Sequence, residues 1–160
     1  MSENIIVRKM IEQDLPDVLR IADESLLSHW SESDYRLQIG RPDSINAVAS
    51  LDAQNTGFFI SRLIIMNSSC ELFNIAVEIK SRKKGIGSFL VEYLVKLCLE
   101  QEIRTVLLDV RQSNTQALSF YKKLGFEAIG KQKNFYTTPS DDALVLRLSL
   151  QSPAISGTDL

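Results

Sequence analysis

A basic, glycine-bearing loop and a few acids and phenols are the residues here whose types and spacing could do chemistry. Lys80, Arg82, Lys83 and Lys84 stand immediately before Gly85 and Gly87, and an apolar helical pattern starts at once behind them. Glycines at a helix start leave backbone N–H groups bare at the positive end of the helix dipole, and neighbouring cations add to that field. Such a site suits an anion of di- or triphosphate size. Asp109 interrupts the otherwise apolar run Thr105–Val110, and a carboxylate is costly to bury there without a purpose or a partner. Glu71 heads the run Leu72–Val77 and shares a strand face with Phe73, Ile75 and Val77. Each has a plainer reading. The basic run could be a solvated surface, Asp109 could pair with Arg111 two residues on, and Glu71 could be a strand end in water.

Two familiar phosphate loops do not fit. A Walker loop needs Lys-Ser or Lys-Thr after its last glycine, and Gly87 is followed by Ser88-Phe89; a dinucleotide fingerprint needs a third glycine where Leu90 stands. Asp109 lies about where the ribose-binding acid of that fingerprint would be, but Val110 follows it, and Lys80–Lys84 is too long for a tight first turn. The single histidine, His29, argues against a zinc site or a Ser–His–Asp triad, so no metal is expected. Cys70 and Cys98 lack metal-ligand spacing and are expected as reduced thiols of a cytoplasmic protein. A net charge of −2 argues against general nucleic-acid binding. The N-terminus lacks a signal-peptide core, and no stretch has the apolar length of a membrane span.

With 160 residues, 44% of them hydrophobic, the expectation is one domain over residues 1–150 and a small, polar, disordered tail over 151–160. The elements that must hold the loop and the acids follow in order. Ile5–Arg8 is a first strand, and Asp14-Leu15-Pro16 opens a helix. Ser31 begins a second helix through Ile39. Ile45–Leu51 and Gly57–Met66 form a hairpin around a loop at Asp52–Thr56, and Glu71–Val77 is the central strand. The helix from Gly87 to about Gln101 presents Phe89, Leu90, Leu94, Leu97 and Cys98 on one face. Thr105–Val110 reads as a strand covered on both faces. Asn114 caps a helix ended by Gly125. Phe126–Gly130 and Leu144–Leu150 close the chain around a polar loop at Lys131–Asp142.

Arg82-Lys83-Lys84-Gly85-Ile86-Gly87 resembles the Arg/Gln-x-x-Gly-x-Gly/Ala signature of the GNAT acetyltransferase superfamily. Asn114-Thr115-Gln116-Ala117 and Phe120-Tyr121-x-x-Leu124-Gly125-Phe126 match its second hallmark. Leu72–Val77, the Asp109–Asn114 segment and Asn134-Phe135-Tyr136 are similar to the RimI type, which acetylates the N-terminal alanine of a small-subunit ribosomal protein. The resemblance implies an α/β (α+β) fold, a mixed central sheet of about six to seven strands flanked by helices. It also implies acetyl-CoA as co-substrate. Ile75, Ala76 and Val77 would hold the pantetheine arm, and the Val77 N–H would polarise the thioester oxygen. Arg82, Lys83, Lys84, Gly85, Ile86, Gly87 and Ser88 would hold the diphosphate, and Asn114 the pantetheine or its phosphate.

The same resemblance makes Tyr121 the proton donor to the departing thiolate. A phenol near pKa 10 and a thiol near 8.5 can share a proton. From the residues alone, Tyr121 reads first as a core tyrosine, sharing a helical face with Ala117 and Leu124. Asp109 falls where the RimI type carries a glutamate base; being one methylene shorter, it suggests an intervening water. Glu71 is the rival base. His29, Trp30, Tyr35 and Tyr136 would border the acceptor groove, or fill the core and rim. The partner expected is a protein N-terminal peptide, possibly ribosomal, met by a monomer or weak dimer without nucleic acid or membrane. The alternatives are acetylation of a small amine or a lysine side chain, and a catalytically silent acyl-CoA-binding module.

Overall fold

The computed structural model describes residues 4–25 and 30–151; His29 and residues 152–160 lie outside them. Among the described residues hydrogen bonding joins seven strands in the order β1-β2-β3-β4-β5-β7-β6, with four α-helices, so the mixed sheet implied by the glycine-loop resemblance is present. The chain resolves into two compact units, one of residues up to Leu63 with Leu72–Leu97, the other of Ile64–Glu71 with Cys98 onward.

In the first unit, β1 (Ile5–Lys9), β2 (Ser44–Leu51), β3 (Gln54–Ile64) and the later part of β4 (Ser69–Val77) carry helices α1 (Leu15–Glu24), α2 (Glu32–Ile39) and most of α3 (Ile86–Glu100). Pro16 stands in the first turn of α1, where its missing N–H costs nothing. Ser31 and Asp34 form a reciprocal capping box on α2, the Asp34 N–H donating to Ser31 Oγ at 3.2 Å and the Ser31 N–H to Asp34 Oδ2 at 2.8 Å. Leu15, Val18, Ile21, Tyr35, Val48, Phe58, Ile60 and Ala76 pack into one buried cluster. The opposite face takes α3. There a Cβ on Gly57 would lie 3.0 Å from the Ala76 carbonyl and 3.3 Å from both Ile86 and Leu90, so only a hydrogen fits.

The β2–β3 connection is only Asp52-Ala53, both in the left-handed region (φ 49° and 71°), instead of the longer Asp52–Thr56 loop. Alanine rarely fills such a hairpin turn, so its type masked the geometry. On α3, Leu90, Val91, Leu94 and Cys98 are buried, but Phe89 is 46% exposed and does not join the core face expected of it. One residue away from Leu90 on a helix is a turn of about 100°.

The second unit holds the start of β4, β5 (Thr105–Arg111), α4 (Thr115–Lys123), β6 (Glu127–Thr137) and β7 (Ser140–Ser149). Ser69–Glu71 pairs in parallel with Thr105–Leu107, and β7 pairs antiparallel with both β5 and β6. β5 is covered on one face, not two: Val106, Leu108 and Val110 are buried, Leu107 is half-buried and Asp109 is exposed. The segment 131–142 is no loop but most of a long hairpin, closed at Thr138-Pro139. Every β6 residue except Tyr136 is exposed, so the strand has no apolar alternation to announce it. Gly125 takes φ 100° behind α4, and the Phe126 N–H donates to the Tyr121 carbonyl at 3.1 Å, turning Phe126 into the core. Cys70 and Cys98 are buried and form no disulfide. No helix among the described residues is long and apolar enough to cross a membrane.

Candidate active site

The glycine loop is braced by its own unit. After β4, Glu78 is 3% exposed and donates its N–H to the Thr56 carbonyl at 2.8 Å. Its carboxylate accepts from Arg20 Nη1 at 2.9 Å and from Ser81 Oγ at 2.5 Å. Burial alone would raise the Glu78 carboxyl, but the hydrogen bonds from Ser81 and Arg20 outweigh it and hold it below the ordinary range. Arg82 turns back, its Nε donating to the Val77 carbonyl at 2.9 Å and its Nη2 to Ser25 Oγ at 3.3 Å. Its guanidinium, though exposed, is therefore tied back onto the loop and the end of α1. Lys83 (φ 65°) and Gly85 (φ 87°) both take left-handed backbone. The Phe89 N–H closes the first helical bond onto the Gly85 carbonyl at 3.0 Å. The N–H groups of Ile86, Gly87 and Ser88 are then first-turn donors without an intrahelical partner, and Lys83, Lys84 and Gly85 are exposed beside them. Such an arrangement has the donors to hold an anion by its main chain.

Taken by itself, the first unit has β4 as the edge strand of its sheet. Leu72, Asn74 and Ala76 are buried, while Phe73, Ile75 and Val77 are half-buried. Ala76 can therefore meet a ligand only through its backbone. Trp30 stacks at 5.3 Å from Tyr35 and 5.8 Å from Phe73. Tyr35 is 1% exposed, its hydroxyl accepting from Asn74 Nδ2 at 3.4 Å, and burial pushes the phenol up to about 12. It packs as a core residue that backs Trp30, the plainer of the two roles open to it.

The second unit gathers the titratable groups. Tyr121 is 7% exposed between Phe120 (5.2 Å) and Phe126 (5.3 Å). Burial, with a smaller contribution from Tyr136, raises its phenol above the ordinary value. Its hydroxyl has no hydrogen-bond partner among the described residues, which leaves a protonated donor available. Asp109 is exposed yet loses enough water for its carboxyl to lie above the usual range. It makes no ion pair with Arg111. That guanidinium goes to the Pro139 carbonyl at 2.8 Å, to the Thr138 carbonyl at 3.4 Å and over the Tyr136 ring at 4.2 Å. The Tyr136 phenol is raised by burial first and by Asp109 second, and Arg111 pulls it the other way. Tyr136 thus stands electrostatically between Asp109 and Tyr121. Glu71, half-buried, occupies the last β4–β5 rung opposite Leu107. Asn114 Oδ1 accepts from the Ala117 N–H at 3.1 Å, so it caps α4 and keeps its amide N–H₂ free.

The sequence considered Arg111 only as an ion partner for Asp109. Its contact with the hairpin tip spans 28 residues, and no local pattern carries it. The Glu78–Arg20–Ser81 brace was missed in the same way; a buried acid beside a serine at i+3 is its one local trace.

Residues 15–126 match the model of the acetyltransferase (GNAT) family. The chain is 28% identical over 139 residues to the [ribosomal protein bS18]-alanine N-acetyltransferase of Escherichia coli K12, covering 86% of this chain and 92% of that protein. It is 30% identical over 151 residues to a Bacillus subtilis protein provisionally given the same activity, covering 94% and 99%. The crystal structure of the E. coli ribosomal-protein-S18-alanine N-acetyltransferase superposes with a TM-score of 0.84 at 25% identity, covering 98% of this chain and 99% of that one. With a main-chain anion cradle, a carboxylate and an unpartnered phenol already in place, this chain belongs to the GNAT acetyltransferase family.

Proposed function

We propose that the chain moves the acetyl group of acetyl-CoA onto the free N-terminal α-amine of a protein, with an N-terminal alanine of a ribosomal protein as acceptor. The observation that carries the reading is the pair of titratable groups in one unit, Asp109 and Tyr121, both raised by loss of water and neither spent on a partner among the described residues. The activity printed for the E. coli relative supplies the acceptor.

In this reading the first-turn N–H groups and Lys83, Lys84 and Gly85 bind the diphosphate, while Arg82 holds the loop in shape. The edge backbone of Ile75, Ala76 and Val77 takes the extended arm of the coenzyme, as an edge strand takes any extended chain. The Val77 N–H donates to the thioester oxygen, and the Asn114 amide donates to the arm. Asp109 accepts the proton of the amine, directly or through one water, and its raised carboxyl makes it the stronger base. An α-amine near pKa 8 asks less of that base than a lysine near 10.4. Tyr121 stays protonated at neutral pH and donates to the departing thiolate. Trp30 and Tyr136 border the acceptor, and Glu71 is the alternative base.

The test is acetyl transfer to an alanine-initiated peptide, to the same peptide N-terminally blocked with an internal lysine, and to polyamine, aminoglycoside and amino-acid acceptors. The expected product carries acetyl on the α-amine of the first peptide only. Turnover confined to small amines or to lysine would move the protein to another branch of the family. Coenzyme binding with no turnover on any acceptor would make it a silent acyl-CoA-binding module.

A further inference from the structure

Arg111 spends its charge unusually for an arginine two residues from an acid on the same strand. Among the described residues it makes no ion pair; one planar guanidinium serves two hairpin-tip carbonyls and the face of Tyr136 at once. Tyr136 is in turn the one β6 residue that is not exposed. Arg111 on β5 lies over its ring, and Asp109 on β5, Asp141 on β7 and Tyr121 on α4 are coupled to its phenol electrostatically. Asp141 is already occupied, accepting from Ser113 Oγ at 2.5 Å and from the Ser113 N–H at 3.2 Å. The hairpin is therefore tied to the end of β5 and the residues after it at three successive positions, Arg111, Gln112 (whose N–H donates to the Asp142 carbonyl at 2.9 Å) and Ser113, and only Arg111 reaches the tip carbonyls and the Tyr136 ring.

We propose that Arg111 is a positioning residue for acyl transfer: by clamping the hairpin tip and stacking on Tyr136, it sets that phenol beside Asp109 and Tyr121. Arginine suits the task for a geometric reason. A flat fork donates along its edge while its face covers a ring, which a lysine ammonium cannot do. The clamp rests on the acyl-transfer reading above for its functional consequence, though not for its geometry.

The experiment is a double-mutant cycle on Arg111→Met and Tyr136→Phe, with Arg111→Lys as the conservative variant, read as kcat/KM on the alanine-initiated peptide and as acetyl-CoA affinity. Arg111→Met is expected to lower kcat/KM by about tenfold to a hundredfold, the scale of a small misplacement of reacting groups. Acetyl-CoA affinity should stay within about twofold, and Arg111→Lys should not restore the rate. The double variant should be no worse than the poorer single one, because both changes remove the same phenol placement. Additive losses, or wild-type turnover in Arg111→Lys, would overturn the proposal. A second readout needs no turnover: with tyrosine labelled at its ring carbons, the Tyr136 resonance should follow the titration of Asp109 in the wild type and stop following it in Arg111→Met. If the wild type acetylates no peptide, the acyl-transfer reading fails and this resonance alone decides; an unchanged titration would sink the clamp.

Discussion

The anion cradle of the first unit and the proton-handling cluster of the second use opposite means. In the proposed cradle the ligand would be met by main chain: first-turn N–H groups, two left-handed residues and an edge strand, with Arg82 and Glu78 bonded back onto the unit as braces. In the proposed cluster the acting atoms would all belong to side chains, and two of them, on Tyr121 and Asp109, have no hydrogen-bond or ion partner among the described residues. A main-chain site tolerates changes of side chain and fails when backbone geometry fails. A side-chain site fails atom by atom. Binding and chemistry should therefore separate cleanly under substitution.

The largest separation is expected at Tyr121. Tyr121→Phe keeps the ring between Phe120 and Phe126 and deletes only the hydroxyl, so turnover should fall about a hundredfold while the acetyl-CoA dissociation constant moves less than twofold, measured by steady-state kinetics and calorimetry. Next comes Asp109→Asn, expected to cost about tenfold or more and to remove the acidic limb of the kcat/KM profile. That limb should lie above the usual carboxylate range in the wild type, because burial raises this group. The sign for stability runs the other way. A carboxyl raised in the fold destabilises it as pH climbs from the unfolded value through the folded one, so Asp109→Asn should raise the melting temperature slightly at neutral pH. An unchanged pH profile would hand the base role to Glu71.

The mirror-image change belongs to the cradle. Gly85→Ala forces a Cβ into φ 87°, although the nearest atom, on Phe89, is a comfortable 3.9 Å from it. The cost is conformational, about 1–2 kcal/mol, and should appear as roughly a tenfold weaker acetyl-CoA affinity with kcat at saturation little changed. The smallest effect sharpens a residue with two duties. Asn114→Asp keeps the cap on the Ala117 N–H and removes the amide donor, so it should leave melting unchanged and raise the KM for acetyl-CoA about threefold, the scale of one hydrogen bond. No change in KM would leave Asn114 as a cap alone.

That division also explains what could be read in advance. The glycine loop, the Asn114 cap, the Ser31 cap and the Gly125 stop are local, and each lies within a few residues of what it governs. The central helix and the strands around it carry apolar periodicity, so they too were legible. The β6–β7 hairpin was not, since nine exposed residues run from Glu127 to Phe135 and its register is set by β7, not by its own pattern. Asp109 was expected to be an expensive buried charge and is exposed; its raised carboxyl comes from partial loss of water at a strand surface. Arg111, Tyr136 and the hairpin tip meet through contacts between distant residues, and no spacing rule reaches them.

The most direct test pairs two numbers on one protein: the acetyl-CoA dissociation constant by calorimetry and the single-turnover rate on an alanine-initiated peptide, each for the wild type and for the Tyr121→Phe/Asp109→Asn double variant. The account predicts equal dissociation constants within about twofold and a transfer rate in the variant at least a hundredfold lower. A variant that loses coenzyme binding, or one that still transfers acetyl at the wild-type rate, would contradict it.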